Sequence, residues 1–392
     1  MPEAVSEACT APATRVLLVT NDFPPTAGGI QSYLRDFTSE LVARGVELEV
    51  FASTQDAQEA RAYDAQLPYA VHRWPRRVML PTPATARQLR RLVARRRIDV
   101  VWFGAAAPLA LMASAAREAG ARRVVASTHG HEVGWSMLPG ARRALRSIGN
   151  GCDAVTYISA YTLRRLRSAL GPHPELHHLP SGVSTDVFAP ADPPGRFATR
   201  ERLGLEPRHR LVVCASRLVT RKGQDSLIRA WPAVVRSCPD AELLIVGEGP
   251  AGPALHRLAA ASPARHRIHF AGRLTDAALA ATVAAADVFA MPARTRGGGL
   301  DVEGLGIVYL EAQSAGVPVI AGESGGAPET VCPGAGVVVN GKDMEALAAE
   351  VTGLLSDLPR ARAMGAAGRE GVEKQWTWES LGDRCRDVLL GS

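Results

Sequence analysis

Two glutamates, Glu303 and Glu311, stand with seven residues between them in the stretch GGGLDVEGLGIVYLEA. Carboxylates so placed can form an acid/base pair, a metal site, or a clamp on the hydroxyls of one ligand. The stretch IVYLEAQSAG predicts a helix that ends at Gly316. Glu303 then precedes the helix and Glu311 lies about one and a half turns inside it. The amides of Gly306, Ile307 and Val308 would open the helix without intrahelical acceptors, ready for an anion. An acidic residue at a helix start can also simply complement the helix dipole, which suits Glu303 better than Glu311. Asp301 and Glu303 in DVE invite a metal reading too. Such acidic motifs belong mainly to single-domain folds that bind Mn or Mg, which disfavours it here.

A second group is basic. Arg217, Arg221 and Lys222 crowd the segment SRLVTRKGQDSL. A guanidinium, an ammonium and the amides of a helix opened by Gly223 would form an anion site. Lysine is informative in this chain, which has it only at Lys222, Lys342 and Lys374. The alternatives are a solvated basic loop or, with no supporting motif, a Schiff-base lysine.

THGHEVGW supplies His129, His131 and Glu132. HGHE lacks the HExxH spacing of a zinc site. His129 remains a proton carrier, a hydroxyl contact, or a loop residue capping backbone groups. Two glycine loops complete the set: Gly28–Gly29 in TNDFPPTAGGIQSYL, and Gly325–Gly326 in GESGGAPETV, where Pro328 can start a helix. Glycines there let backbone amides approach a ligand closely, or merely make tight turns. The first strand is not followed by GxGxxG, which weakens a nicotinamide or flavin reading.

These loops all follow short apolar runs. RVLLVT (15–20), VELEVFA (46–52), IDVVWF (98–103), RRVVAST (122–128) and DAVTYIS (153–159) read as buried strands. Helices are expected near 30–45, 84–97, 108–119, 139–149 and 160–169. PSGVSTDVFAPADPPG (180–195) lacks periodicity and reads as a linker. Strands then resume at 210–216, 241–247, 267–272, 286–292, 317–322 and 335–340, and a helix is expected over 372–390. The pattern predicts an α/β protein of two Rossmann-like units with parallel sheets and a cleft between them. Ligands bind beyond the carboxyl ends of such strands. The expected boundaries are 1–190 and 191–374, with a last helix (375–392) returning to the first unit.

Composition narrows the partners. The 392 residues are 46% hydrophobic and 21% charged, with net charge +6 and pI about 9.2. Phosphates, nucleic acid or an acidic membrane are thus admissible. Nucleic acid has no aromatic-interleaved basic motif behind it and is not expected. Arginine and alanine richness points to a GC-rich genome. The six cysteines are scattered, which suits a reduced cytosolic setting. The acidic start MPEAVSEACTAPATR is not a signal peptide, and no apolar run is long enough to span a bilayer. Any membrane contact is expected to be peripheral. The basic helix PATARQLRRLVARRR (83–97) could rest on anionic headgroups, or be a solvated face.

Five features in order, each after a strand, resemble retaining glycosyltransferases of family 4 with the GT-B fold. They are Gly28–Gly29, His129, the Arg217–Lys222 pair, the Glu303–Glu311 pair and SGGAPETV. The resemblance covers nearly the whole chain and is strongest to its actinobacterial mannosyltransferases. It departs from many members in having EGLG, with no phenylalanine between Glu and Gly. It implies mannose transfer from GDP-mannose to phosphatidylinositol monomannoside in an α-1,6 linkage, at the inner face of the cell membrane. It also implies that Arg217 and Lys222 hold the diphosphate, with amides from Gly306, Ile307 and Val308. Glu303 would hold sugar hydroxyls, Glu311 the ribose diol, and Arg273 and Leu274 the base. His129 would contact the transferred sugar near its 6-hydroxyl, and Gly29 would approach the diphosphate on domain closure. No metal or other cofactor is implied. A UDP-sugar donor, another acceptor such as a glucuronosyl diacylglycerol, or an epimerase or hydrolase on the same fold are the alternatives. The oligomeric state is not legible.

Overall fold

Thirteen short strands, most of them apolar runs rich in Val, Ile, Leu and Ala, form two sheets in the computed structural model, which describes residues 14–26 and 28–391. In the first sheet the strands are β1 (Arg15–Thr20), β2 (Glu47–Ser53), β3 (Ala70–Trp74), β4 (Val100–Phe103), β5 (Arg123–Ser127), β6 (Ala154–Tyr157) and β7 (Glu175–His178). Their order is β3-β2-β1-β4-β5-β6-β7. The second sheet has β8 (Arg210–Ala215), β9 (Ala241–Val246), β10 (Ile268–Gly272), β11 (Val288–Met291), β12 (Val319–Gly322) and β13 (Gly336–Val339). Its order is β10-β9-β8-β11-β12-β13. The pairs β1–β2, β1–β4, β4–β5, β8–β9, β8–β11 and β11–β12 all run parallel.

Two compact units result. The first holds residues up to Thr156, then Arg167–His177 and Gly382–Ser392; the second holds Tyr157–Leu166 and His178–Leu381. The expected tail helix is two helices, Leu358–Gln375 and Trp378–Leu390. In the first unit, Arg44 Nε meets Asp383 at 2.8 Å and Arg123 Nε donates to the Val388 carbonyl at 3.0 Å.

Each sheet buries its central strands almost throughout, apart from the arginines that open β1, β5 and β8. Trp102, Phe103 and Phe51 fill the first core; Trp231, Phe289 and Tyr309 fill the second. Side chains of this size each contribute several kcal/mol, about 3–5 on truncation to alanine. One strand carries a charge inside: Glu242 of β9 is only 5% exposed. It is held by Arg267 at 2.5 Å, His269 at 2.7 Å and His209 at 2.8 Å. A buried carboxylate persists only with partners of this kind. Among the described residues no helix is long and apolar enough to cross a membrane. The described cysteines, Cys152, Cys214, Cys238, Cys332 and Cys385, are all free and buried.

In both sheets the first strand of the unit is internal, and the chain reverses its winding between that strand and its neighbour: β1 and β4, then β8 and β11. Loops at such a reversal diverge and leave room for a ligand. In the second unit those loops contain Arg217–Lys222 and Asp301–Glu303.

Candidate active site

The second unit brings Lys222 and Glu303 into direct contact. Lys222 Nζ lies 2.8 Å from Glu303 Oε2, and both side chains are about nine-tenths buried. Arg221 Nε lies 3.6 Å from the same oxygen and its Nη1 lies 3.4 Å from Asp301 Oδ1. Two cations and two carboxylates thus interlock where the loops after β8 and β11 meet. Asp301, one half of the possible metal motif, is turned to Arg221. Among the described residues no group of three metal-ligating side chains is present.

The backbone of Glu303 is fixed from behind. Its amide donates to Ser324 Oγ at 3.1 Å, and its carbonyl accepts from the Gly326 amide at 2.9 Å. Gly325 permits this approach: φ is +58°, and a Cβ there would fall 1.9 Å from the Glu303 carbonyl oxygen. The following Gly304 carbonyl accepts from Ser159 Oγ at 2.9 Å. SGGAPETV therefore supports the Glu303 loop rather than only offering amides of its own.

The helix Ile307–Ser314 starts at Gly306, whose φ of +91° is left-handed. A Cβ on Gly306 would also strike the ring of Tyr309, 2.6 Å away. Tyr309 is completely buried and donates its hydroxyl to the Met291 carbonyl, anchoring the helix to the end of β11. Burial holds its phenol well above the ordinary value. Among the described residues, the amides of Gly306, Ile307 and Val308 have no acceptor. They form the positive end of the helix, next to Glu303.

Glu311 lies further along the helix and is half-buried. Burial pushes its carboxyl up to about 7; Asp276 adds to the shift and Lys222 opposes it. Arg217 is exposed, and its guanidinium has no hydrogen bond or ion pair among the described residues. Arg273 is likewise exposed at the end of β10, while Leu274 packs on the core. The structure thus joins Lys222 to Glu303 and puts Glu311 within Lys222's field. It does not bring Arg217 or Arg273 into that contact.

The first unit has its own cluster. His129 Nε2 lies 2.6 Å from the Gly104 carbonyl oxygen, and its ring meets Tyr33 edge-on. Burial holds the imidazole below its ordinary pKa, so the neutral form is favoured. Glu132 is fully buried and accepts from the amides of His129 (3.0 Å) and Gly130 (3.1 Å). Asp22, beyond β1, is raised by burial, with His129 and His131 opposing the shift. Gly29 is the first residue of the helix Gly29–Ala43, and a Cβ on it would meet nothing. The sequence motifs point to His129 and Gly29, whereas Asp22 and the buttressing carboxylate of Glu132 emerge only in the structure. A carboxylate three residues after His129 was the signal available.

The comparisons with known proteins agree on the class of protein. The Glycosyltransferase Family 4 profile matches residues 27–187, and the profile for glycosyl transferases group 1 matches 195–371. Solved structures agree on the fold: a sucrose-phosphate synthase from Thermosynechococcus elongatus superposes with TM-score 0.79 at 22% identity, covering 97% of this chain and all of that one. The Anabaena protein HepE in complex with UDP gives 0.78 at 19% identity, again over 97% of this chain and all of its own. Fold and loops together define a GT-B glycosyltransferase.

Sequence comparison is narrower. A Corynebacterium glutamicum protein, a GDP-mannose-dependent monoacylated alpha-(1-6)-phosphatidylinositol monomannoside mannosyltransferase, is 59% identical over 96% of this chain and 97% of its own. The GDP-mannose-dependent alpha-(1-6)-phosphatidylinositol monomannoside mannosyltransferases of Mycolicibacterium smegmatis and Mycobacterium tuberculosis are 55% and 54% identical, over 96% of this chain and 98% of theirs. The chain belongs to glycosyltransferase family 4, in the branch formed by these mannosyltransferases.

Proposed function

We propose that this enzyme transfers mannose from GDP-mannose to phosphatidylinositol monomannoside, with retention, forming an α-1,6 linkage. The observation that carries this reading is the 54–59% identity, over nearly the full chain, with transferases of that description. The second unit takes the donor. Arg217, Lys222 and the amides of Gly306, Ile307 and Val308 bind the diphosphate. Glu303 accepts from sugar hydroxyls, Glu311 from the ribose diol, and Arg273 and Leu274 meet the base. The first unit takes the acceptor, with Gly29 and His129 at its strand ends.

The chemistry needs little more. The bond from the mannose anomeric carbon to the phosphate oxygen breaks, and GDP leaves with the electron pair. Cations and a helix N-terminus stabilise that charge. The acceptor hydroxyl attacks from the same face, and its proton passes to the departing phosphate oxygen. The reaction proceeds without a metal on this reading, because Lys222 and Arg217 supply the positive charge.

The acceptor lies in a membrane, and the first unit has features suited to one. Val78 and Leu80 are 57% and 53% exposed, beside exposed Arg76 and Arg77. The helix Pro83–Arg96 turns Arg87, Arg91 and Arg95 outward. This surface rests on anionic headgroups at the inner face of the cell membrane, and its adsorption weakens as salt rises.

The test is transfer from radiolabelled GDP-mannose to purified phosphatidylinositol monomannoside, in buffer with and without EDTA, with the product linkage determined. The α-1,6 dimannoside is expected in both buffers. Faster transfer from a UDP-sugar, donor consumption without acceptor, or a different linkage would overturn the assignment. Loss of activity in EDTA would overturn the metal-free part alone.

A further inference from the structure

The second unit contains a pocket that the donor site does not use. It lies at the opposite end of the strands from the donor loops. Asp287 immediately precedes β11 and Pro318 immediately precedes β12, so the pocket opens at the amino ends of the strands. The loops with Lys222 and Glu303 are at the carboxyl ends. The pocket has a volume of about 240 Å³, enough for a small organic phosphate.

Its charge is unbalanced. Arg196, Arg200, Arg362 and Asp287 are the charged residues in the lining, three cations against one anion. Asp287 is already spent: Oδ1 accepts from Arg196 at 2.5 Å, while Oδ2 accepts from Arg200 at 2.9 Å and from the Leu211 amide at 2.7 Å. Arg200 is spent too. Its donors reach the carbonyls of Ala285, Pro207 and His209 as well as Asp287, so its role is structural.

Arg196 and Arg362 differ. The hydrogen bonds of Arg196 both come from Nη2, to the Ala286 carbonyl and Asp287. Its Nε and Nη1 have no acceptor among the described residues, and neither has any part of the Arg362 guanidinium. The two cations feel each other. Burial lowers the pKa of Arg196, Asp287 opposes this, and Arg200 and Arg362 lower it further. Like charges gathered in a concave site are costly unless an anion joins them. Phe197 and Leu358, 42% and 37% exposed, add apolar surface to the lining.

We propose that this pocket is a second anion site, in which Arg196 and Arg362 together bind a phosphate group whose substituent rests on Phe197 and Leu358. The ligand is a phosphate ester, from either a soluble metabolite or a phospholipid headgroup. The site stands independently of the donor and acceptor assigned above.

Isothermal titration tests it on the full-length enzyme saturated with GDP, so that the donor site is occupied. The probes are inorganic phosphate and dihexanoyl phosphatidic acid below its micelle concentration. Binding of phosphate is expected, weakened about tenfold in Arg362→Gln, since one charge-assisted contact is lost. Arg362 is exposed and apart from the donor site, so mannosyl transfer without added phosphate should be unchanged. A lipid probe that binds more tightly than phosphate, and loses that gain in Phe197→Ser, assigns the headgroup source. Equal binding of the two probes assigns a soluble ester. No binding in the wild type, or binding unchanged in Arg362→Gln, overturns the proposal.

Discussion

Lys222 Nζ sits 2.8 Å from Glu303 Oε2, so the cation assigned to the phosphates and the carboxylate assigned to the sugar form an ion pair with each other. Their effects should therefore not add. Lys222→Ala and Glu303→Gln are each expected to lower kcat/KM by about 10²–10³-fold. The double variant should fall little below the worse single one, as for residues that act as a unit. Steady-state kinetics with GDP-mannose measure this; losses that multiply would mean two independent roles.

Glu311 gives a pH-dependent prediction. Its carboxyl is raised from 4.5 to about 7 in the folded protein. A raised acid binds its proton more tightly when folded, so ionisation costs the folded state. That cost is absent below about pH 4.5 and complete above about pH 7. Glu311→Gln should therefore stabilise the ligand-free protein by about 1–3 kcal/mol at pH 8 and leave it unchanged at pH 4.5. The same variant should bind GDP-mannose more weakly. Thermal melts at the two pH values and a donor titration check both parts.

Glu242 gives the opposite sign. Although burial raises its pKa, hydrogen bonds from His269, His209 and Arg267 outweigh it and hold the carboxyl down at about 2. A depressed acid contributes stability that is present above the unfolded value near 4.5 and is lost as pH falls toward 2. Glu242→Gln should be destabilised by roughly 3 kcal/mol at pH 7 and should show a flatter acid limb between pH 4.5 and 2. Denaturant melts over that range measure it.

Gly325→Ala should impair activity through a residue it does not replace. The new methyl would collide with the Glu303 carbonyl oxygen, at a backbone angle that alanine rarely adopts. A fall in kcat/KM of about tenfold or more is expected, since a displacement of about 1 Å at a positioning residue can cost 10²-fold. Folding should be retained by circular dichroism. Wild-type turnover would show that the loop does not position Glu303.

Most of the fold was legible because central parallel strands are covered on both faces and therefore read as apolar runs. β3 and β7 were missed for the same reason. AVHRW and ELHH lie at the ends of the first sheet, partly exposed, and have no such run. The short helix Glu132–Met137 was also missed, since one turn and a half shows no periodicity. The loops that carry Lys222, Glu303 and Glu311 could be named, because strand order dictates which loops meet. Their contacts could not. Nothing in the spacing of Lys222 and Glu303 states that they pair with each other, or that Arg221 turns to Asp301. Those contacts depend on side-chain directions set by Gly306, Ser324 and Gly325, and nothing in the sequence ties these positions to Glu303.

The two hydrogen bonds that fix Glu303, its amide donating to Ser324 and its carbonyl accepting from Gly326, also constrain how this loop can change. Ser324 lies 21 residues beyond Glu303, with a whole helix and strand between them. A drift that lengthens or reshapes either loop misplaces the carboxylate unless the other changes with it. The two stretches thus behave as one structural unit, in which a change to either loop is felt at the Glu303 carboxylate through the other.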